Sequence, residues 1–275
     1  MSSLNIDDLS IFSIHYSLLT DRLKFIHSIS SKLKASVDII TEQDVSGSSA
    51  GFQVLADLSL LRSTVEYISD YLLLHSLFLS SGSDIKKLDK RCYLHYLASP
   101  HSFQDFFVSQ AISSYSKANY ELCCQHYLAI SSFLKSENKF CLILEDDSIL
   151  HEDLNAFNAL LSCIDLFHDD VPIFVDVSNS LGLLALYERH PSLAANKSYL
   201  VSVLPGQTRC ASAYIINKSA ATEILKLNNF VLPIDWHLSF CLRHQTVQTF
   251  WCSPGLFLQG SETDLLVSNQ HQRNL

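Results

Sequence analysis

An α/β fold built on a largely parallel sheet is what this sequence predicts, and three observations carry that expectation. Short apolar runs alternate with amphipathic helical stretches at both ends of the chain. Hydrophobic residues make up 48% of it, enough for a sizeable core and too many for a disordered chain. A long helical middle section, at about 52–135, interrupts the alternation and reads as an insertion in one domain spanning residues 1–275.

Leu9 to Tyr16 is the first expected strand, rich in Ile and Phe. Thr20 is placed to cap a helix with Asp21 in its first turn, and Leu23, Ile26, Ile29 and Leu33 recur on one helical face. Val37 to Thr41 makes a second strand and closes a β-α-β unit. Residues 42–51 are polar and small, hence a loop. Residues 52–81 and 85–135 are mostly helical, with Pro100 forcing a break. Lys139 to Leu144 is a short buried strand, and Asp153 to Phe167 a helix. Strands follow at Val171 to Val177, Tyr199 to Leu204 and Ala211 to Ile216. Asn217 then caps a helix through Leu227. Ile234 to Arg243 is a helix and Val247 to Cys252 a last strand.

Composition narrows the function. With 19 Lys+Arg against 28 Asp+Glu, a net of −9, a broad basic face for nucleic acid is not expected. The 7 glycines form neither G-x-G-x-x-G nor a G-K-[ST] loop, so a phosphate must be held by a metal, by basic side chains or by helix N-termini. None of the 8 cysteines forms a C-x-x-C pair, which fits reduced, buried thiols in the cytoplasm. The first ten residues are polar, and no apolar stretch approaches the ~20 residues of a membrane span. Membrane association is expected to be peripheral at most, at the inner face.

The segment Cys141 to Leu150, CLILEDDSIL, is the most informative. A buried strand delivers Glu145, Asp146 and Asp147 at its C-terminal end, the edge where ligands bind in open α/β sheets. Three adjacent carboxylates repel one another unless a cation offsets them, and a hard divalent ion that shares its shell with phosphate oxygens would do so. The plainer alternative is three acids capping the following helix and facing water.

Four segments in order extend this. Ile11 to Ile26 (IFSIHYSLLTDRLKFI), Glu121 to Ile130 (ELCCQHYLAI), Leu142 to Leu150 (LILEDDSIL), and Ser212 to Leu225 with Pro233 to Leu238 (PIDWHL) together resemble glycosyltransferase family 25. These are the lipopolysaccharide-type galactosyltransferases related to the collagen galactosyltransferases. Gln259-Gly260-Ser261 resembles the family's closing segment more weakly. Departures from the family pattern are Ser13-Ile14-His15-Tyr16 in the opening strand, Tyr120 before Glu121, and His126 two places early in its helix.

The resemblance implies a GT-A-like fold, a UDP-sugar donor with galactose as default, Mn²⁺ (or Mg²⁺), and a glycan or lipid-linked saccharide acceptor. It carries Glu145 and Asp147 over as the metal-holding acid-x-acid pair, with Asp146 orienting the sugar or the metal shell. Arg22 would contact the nucleotide or its phosphates; the alternative is a surface ion pair with Asp21 or a neighbouring acid. An inverting transfer needs a general base, for which Asp235 is the choice, with Trp236 beside it as a sugar platform. Asp235 as a dipole-stabilised helix acid and Trp236 as a core aromatic are the alternatives. Tyr214 is either strand core or a donor contact. Glu121 and His126, five apart on one helix and so not well aligned on one face, would support the site; a structural hydrogen bond is the alternative for both. Two further readings compete: a non-catalytic sugar- or nucleotide-binding relative, and a serine hydrolase using Ser49 of the G-x-S-x-G at Gly47 to Gly51. His151-Glu152 starts a zinc motif that Asn155 leaves incomplete, and His271 near the C-terminus is a remote metal candidate.

Overall fold

A computed structural model describes residues 5–46, 117–151, 154–178, 200–203, 205, 211–228, 233–253 and 255–261. Ser49, most of the expected helical insertion, the side chain of Trp236 and His271 lie outside the described residues.

Nine strands are assigned among them: β1 (Leu9–His15), β2 (Asp38–Thr41), β3 (Phe140–Glu145), β4 (Ser148–Leu150), β5 (Ile173–Asp176), β6 (Val201–Val203), β7 (Ala213–Asn217), β8 (Gln248–Trp251) and β9 (Phe257–Gln259). The helices are α1 (Leu23–Leu33), α2 (Lys117–Lys135), α3 (Leu154–Ile164), α4 (Lys218–Leu225) and α5 (Ile234–His244). Seven strands form one mixed sheet in the order β2-β1-β3-β7-β5-β8-β6. β2, β1, β3, β5 and β8 run one way; β7 and β6 run the other. The sheet is mostly parallel, as expected, but its centre is not. β7 inserts antiparallel between β3 and β5, a pairing that strand-by-strand periodicity does not reveal.

Strand side chains alternate between faces. Phe12, Ile14, Cys141, Ile143, Phe174, Tyr214 and Ile216 point to one side, where α2, α4 and α5 cover them. Leu9, Ile11, Leu142, Leu144, Val175 and Ile215 point to the other, against α1 and α3. Both faces are therefore buried, which explains why these strands read as continuous apolar runs. Each fully buried Leu, Ile or Phe contributes about 1.5–3 kcal/mol relative to an exposed one.

Two local details correct the sequence reading. Thr20 does not cap α1: Thr20–Arg22 is a 3₁₀ turn that feeds directly into the helix. No helix follows the acid trio immediately; the chain makes β4, which pairs with β9 in a separate two-stranded sheet. Asn217, by contrast, caps α4 as its sequence position implies, its Oδ1 accepting the Ala220 N–H at 2.9 Å. The same oxygen accepts the Ile173 N–H, and Asn217 Nδ2 donates to the Val171 carbonyl, so one side chain joins β7, β5 and α4. Among the described residues, no helix is long and apolar enough to cross a membrane.

Candidate functional site

β1, β3, β5 and β8 end at one edge of the sheet, where β7 begins. At that edge Glu145 closes β3, with Asp146 and Asp147 in the turn beyond. The water-facing alternative does not hold: Asp146 is 1% exposed and Asp147 4%. Asp146 and Asp147 are buried and Glu145 is half-buried, and the three have different partners.

Asp146 is satisfied within the protein. Arg22 Nη1 donates to its Oδ1 at 2.7 Å, and His15 Nδ1 and the Tyr16 N–H donate to its Oδ2 at 2.9 and 3.2 Å. Burial opposes its charge, but His15, then Arg22 and the Tyr16 N–H outweigh burial and hold its pKa below the usual carboxylate value. Arg22 is itself 2% exposed, so its ion pair is a buried one with the neighbouring acid Asp146 rather than a surface pair with Asp21. Periodicity missed His15, although its place at the C-terminal end of the first strand was a usable signal.

Asp147 has no such support. Its Oδ1 is buried without a hydrogen-bond partner, and Arg22 Nη1 stands 4.0 Å from its Oδ2. Burial lifts its pKa; the Ser261 hydroxyl opposes this, Asp146 adds to it, and the net shift is upward. The weakly matched closing segment proves to be adjacent: β9 pairs with β4, and the Gly260 N–H donates to the Asp147 carbonyl at 2.8 Å.

Glu145 is turned to the α2 side, its side chain 20% exposed, with Oε1 3.6 Å from His126 Nε2. His126 is fully buried, and its Nδ1 lies 2.9 Å from the Tyr214 hydroxyl. Burial holds the imidazole neutral, its pKa lowered to about 4 although Asp235 pulls it up. Tyr214 has no exposed surface and stacks on Phe174, so it is strand core reaching His126 rather than a donor contact. Burial also pushes its phenol well up. Glu121 lies one turn before Gln125, whose amide donates to the carbonyls of His15 and Ile40 and seats α2 over the ends of β1 and β2.

Asp235 lies in the first turn of α5, and its Oδ1 accepts the Ala211 N–H at 2.8 Å. The next residue, Ser212, accepts the Glu145 N–H at 2.8 Å and the Ser148 hydroxyl at 2.6 Å through its carbonyl. Two consecutive residues entering β7 therefore hold Asp235 and the acid trio to one strand end. Trp236 follows in α5.

Glu145 and Asp147 suit a hard divalent ion in donor chemistry, and the unpartnered Asp147 Oδ1 is the kind of atom such an ion satisfies. Among the described residues no three His, Cys, Asp or Glu side chains stand together as a complete ligand set. Two carboxylates with phosphate oxygens are the usual complement for Mg²⁺-type sites. No protein-family model and no curated protein matches this chain.

Proposed function

We propose that this chain is a metal-dependent, inverting glycosyltransferase of GT-A-like fold that moves a sugar, galactose by default, from a UDP-sugar to a glycan or lipid-linked saccharide. The observation that carries the reading is the end of β3. Buried carboxylates gather at the ligand-binding edge of an α/β sheet, and one of them, Asp147, keeps an oxygen without a partner. It would act in the cytoplasm, at most peripherally at the inner membrane face.

In this reading Glu145 and Asp147 hold Mn²⁺ or Mg²⁺. The ion supplies Lewis-acid neutralisation of the charge that develops on the departing nucleoside diphosphate. Arg22, His15 and Asp146 act as positioning residues: their bonds fix the turn that aims Asp147. Asp235, held at the start of α5 by the Ala211 N–H, takes the proton from the acceptor hydroxyl. Trp236 offers the sugar platform and Glu121 lines the approach along α2.

The test is Mn²⁺-dependent release of UDP from UDP-sugars, with and without a saccharide acceptor. Asp147→Asn is expected to lower turnover by at least about 100-fold with the circular dichroism spectrum unchanged. Asp235→Asn is expected to slow transfer by about 100-fold or more and leave donor affinity within about threefold. Donor binding without turnover in the parent protein would favour a non-catalytic relative; unchanged rates in both variants would remove the assignments.

A further inference from the structure

His15 closes β1 at the sheet edge where β3 delivers its acids, and it is 3% exposed. It is fixed on two sides: its carbonyl accepts the Gln125 amide of α2 at 3.1 Å, and its Nδ1 lies 2.9 Å from Asp146 Oδ2. Asp146 also takes Arg22 on its other oxygen and the Tyr16 N–H, and these partners favour its ionised form. An ionised carboxylate can only accept, so Nδ1 carries the proton, and in its neutral form the ring keeps a lone pair on Nε2. Among the described residues no hydrogen bond engages that Nε2. Nor is it one of the four buried polar atoms left without a partner, which are Ser13 Oγ, Gln125 Oε1, His126 Nε2 and Asp147 Oδ1. The nitrogen is neither bonded nor sealed.

We propose that His15 is a substrate-contact residue whose Nε2 accepts a hydrogen bond from a sugar hydroxyl of the donor, with Asp146 holding the ring in the tautomer this requires. The inference rests on the nucleotide-sugar reading above and adds a contact that the resemblance does not assign, since Ser13-Ile14-His15-Tyr16 departs from the family pattern. A carboxylate on one imidazole nitrogen fixes tautomer and ring plane, and the far nitrogen then meets a hydroxyl. A hydroxyl fits better than a phosphate. The neighbouring Arg22 charge is already met by Asp146 at 2.7 Å, and a lone pair takes a proton donor rather than an anion. Placement agrees with this chemistry. β1, α1 and β2 form a β-α-β unit, and ligands of open α/β sheets lie beyond the carboxyl ends of such strands. Ser17, two residues past His15, donates its N–H to Glu42 Oε2 at 3.0 Å and its hydroxyl to Glu42 Oε1. These bonds tie the turn beyond β1 to the end of β2, so the backbone that carries the ring is already ordered before a ligand arrives. The hydroxyl has two sources in a nucleotide sugar, the ribose and the sugar to be transferred.

The experiment is isothermal titration calorimetry of the full chain with Mn²⁺ and UDP, 2′-deoxy-UDP, 3′-deoxy-UDP or UDP-galactose, at mildly alkaline pH where a free imidazole is neutral. His15→Asn keeps an amide N–H near the place of Nδ1, and with it the Asp146 bond, but has nothing at Nε2. His15→Gln does the reverse. His15→Asn is expected to unfold in urea close to the parental midpoint and to bind UDP-galactose about five- to tenfold more weakly, the loss of one neutral hydrogen bond. His15→Gln is expected to lose stability and to keep its affinity within about threefold of the parent. A ribose contact shows as the same loss for UDP, reproduced in the parent protein by one of the deoxy nucleotides. A contact to the transferred sugar shows as a loss for UDP-galactose with UDP binding unchanged. In the parent protein, saturating UDP-galactose is expected to shift the unprotonated ¹⁵N resonance of His15 Nε2, a readout that needs no variant. A UDP-galactose affinity in His15→Asn within about twofold of the parent would overturn the proposal and leave the transferase reading standing. So would an Nε2 resonance that is protonated in the free protein or unmoved at saturation. No binding of UDP or UDP-galactose by the parent protein would end both.

Discussion

Arg22 and Asp146 set the energetics of the site at the residue scale. Both are almost fully buried, and their bond at 2.7 Å is shared with His15 on the other carboxylate oxygen. A buried pair gains little net energy over an apolar replacement, but removing one partner strands a charge in a low-dielectric interior. Arg22→Met is therefore expected to cost about 3–5 kcal/mol of stability in urea unfolding. The double variant Arg22→Met/Asp146→Leu is expected to recover part of that cost; a single-variant loss under about 1 kcal/mol would show that Asp146 finds its charge partner elsewhere. Asp147 is the complementary case. Its carboxylate is buried with one oxygen unanswered, so its ionised form burdens the fold and is free to take a ligand. Two neighbouring aspartates thus differ in role because one faces an arginine and an imidazole while the other faces a hydroxyl.

At the scale of elements, β7 organises the edge. Its antiparallel entry places Ala211 and Ser212 beside the exit of β3, where one anchors Asp235 and the other takes the Glu145 N–H. Its exit is fastened by Asn217, which caps α4 and bonds the start of β5. Asn217→Ala removes the cap and leaves the Ile173 N–H and Val171 carbonyl unanswered, so the expected loss is about 2 kcal/mol in urea unfolding, at the upper end for a cap. A loss near that of an ordinary exposed cap, about 0.5 kcal/mol, would show that the β5 bonds carry no weight. Asn217 was legible as a cap from its position before a run of good helix formers. Its second role was not, because β5 lies more than forty residues away and nothing local names it.

Across the whole molecule, pH links the helical layer to stability. His237, fully buried on α5, donates or accepts at Nε2 with the Tyr127 hydroxyl at 2.8 Å and the Leu227 carbonyl at 3.0 Å, with Cys241 Sγ 3.5 Å away. Burial lowers its pKa from 6.5 to about 4, partly offset by the Leu227 carbonyl. The unfolded chain takes up this proton below about pH 6.5 and the folded chain only near 4, so stability rises with pH across that window and is lost on acidification. Asp146, with its pKa lowered, contributes stability above its unfolded value of 3.8 that is lost as pH falls through its folded one, and so extends the same slope downward. Unfolding free energies measured between pH 4 and 6.5 are expected to climb, and His237→Gln to take about one proton off the slope. A slope unchanged in that variant would mean that His237 is protonated in the folded state.

Local pattern was sufficient wherever a residue's role depends on its neighbours in the chain. The apolar runs of β1, β3 and β5, the amphipathic face of α1 and the arrival of three acids at a strand end all follow from side-chain periodicity and burial. Which acid is answered and which is not depends on groups far away in sequence. Arg22 and His15 meet Asp146 across more than 120 residues, Ser261 reaches Asp147 through the β4–β9 pairing, and His126 meets Glu145 only because α2 packs over β3 and β7. Charge pairing, desolvation and the direction of β7 are properties of the packed sheet, and the chain acquires them only when strands from its two ends lie side by side.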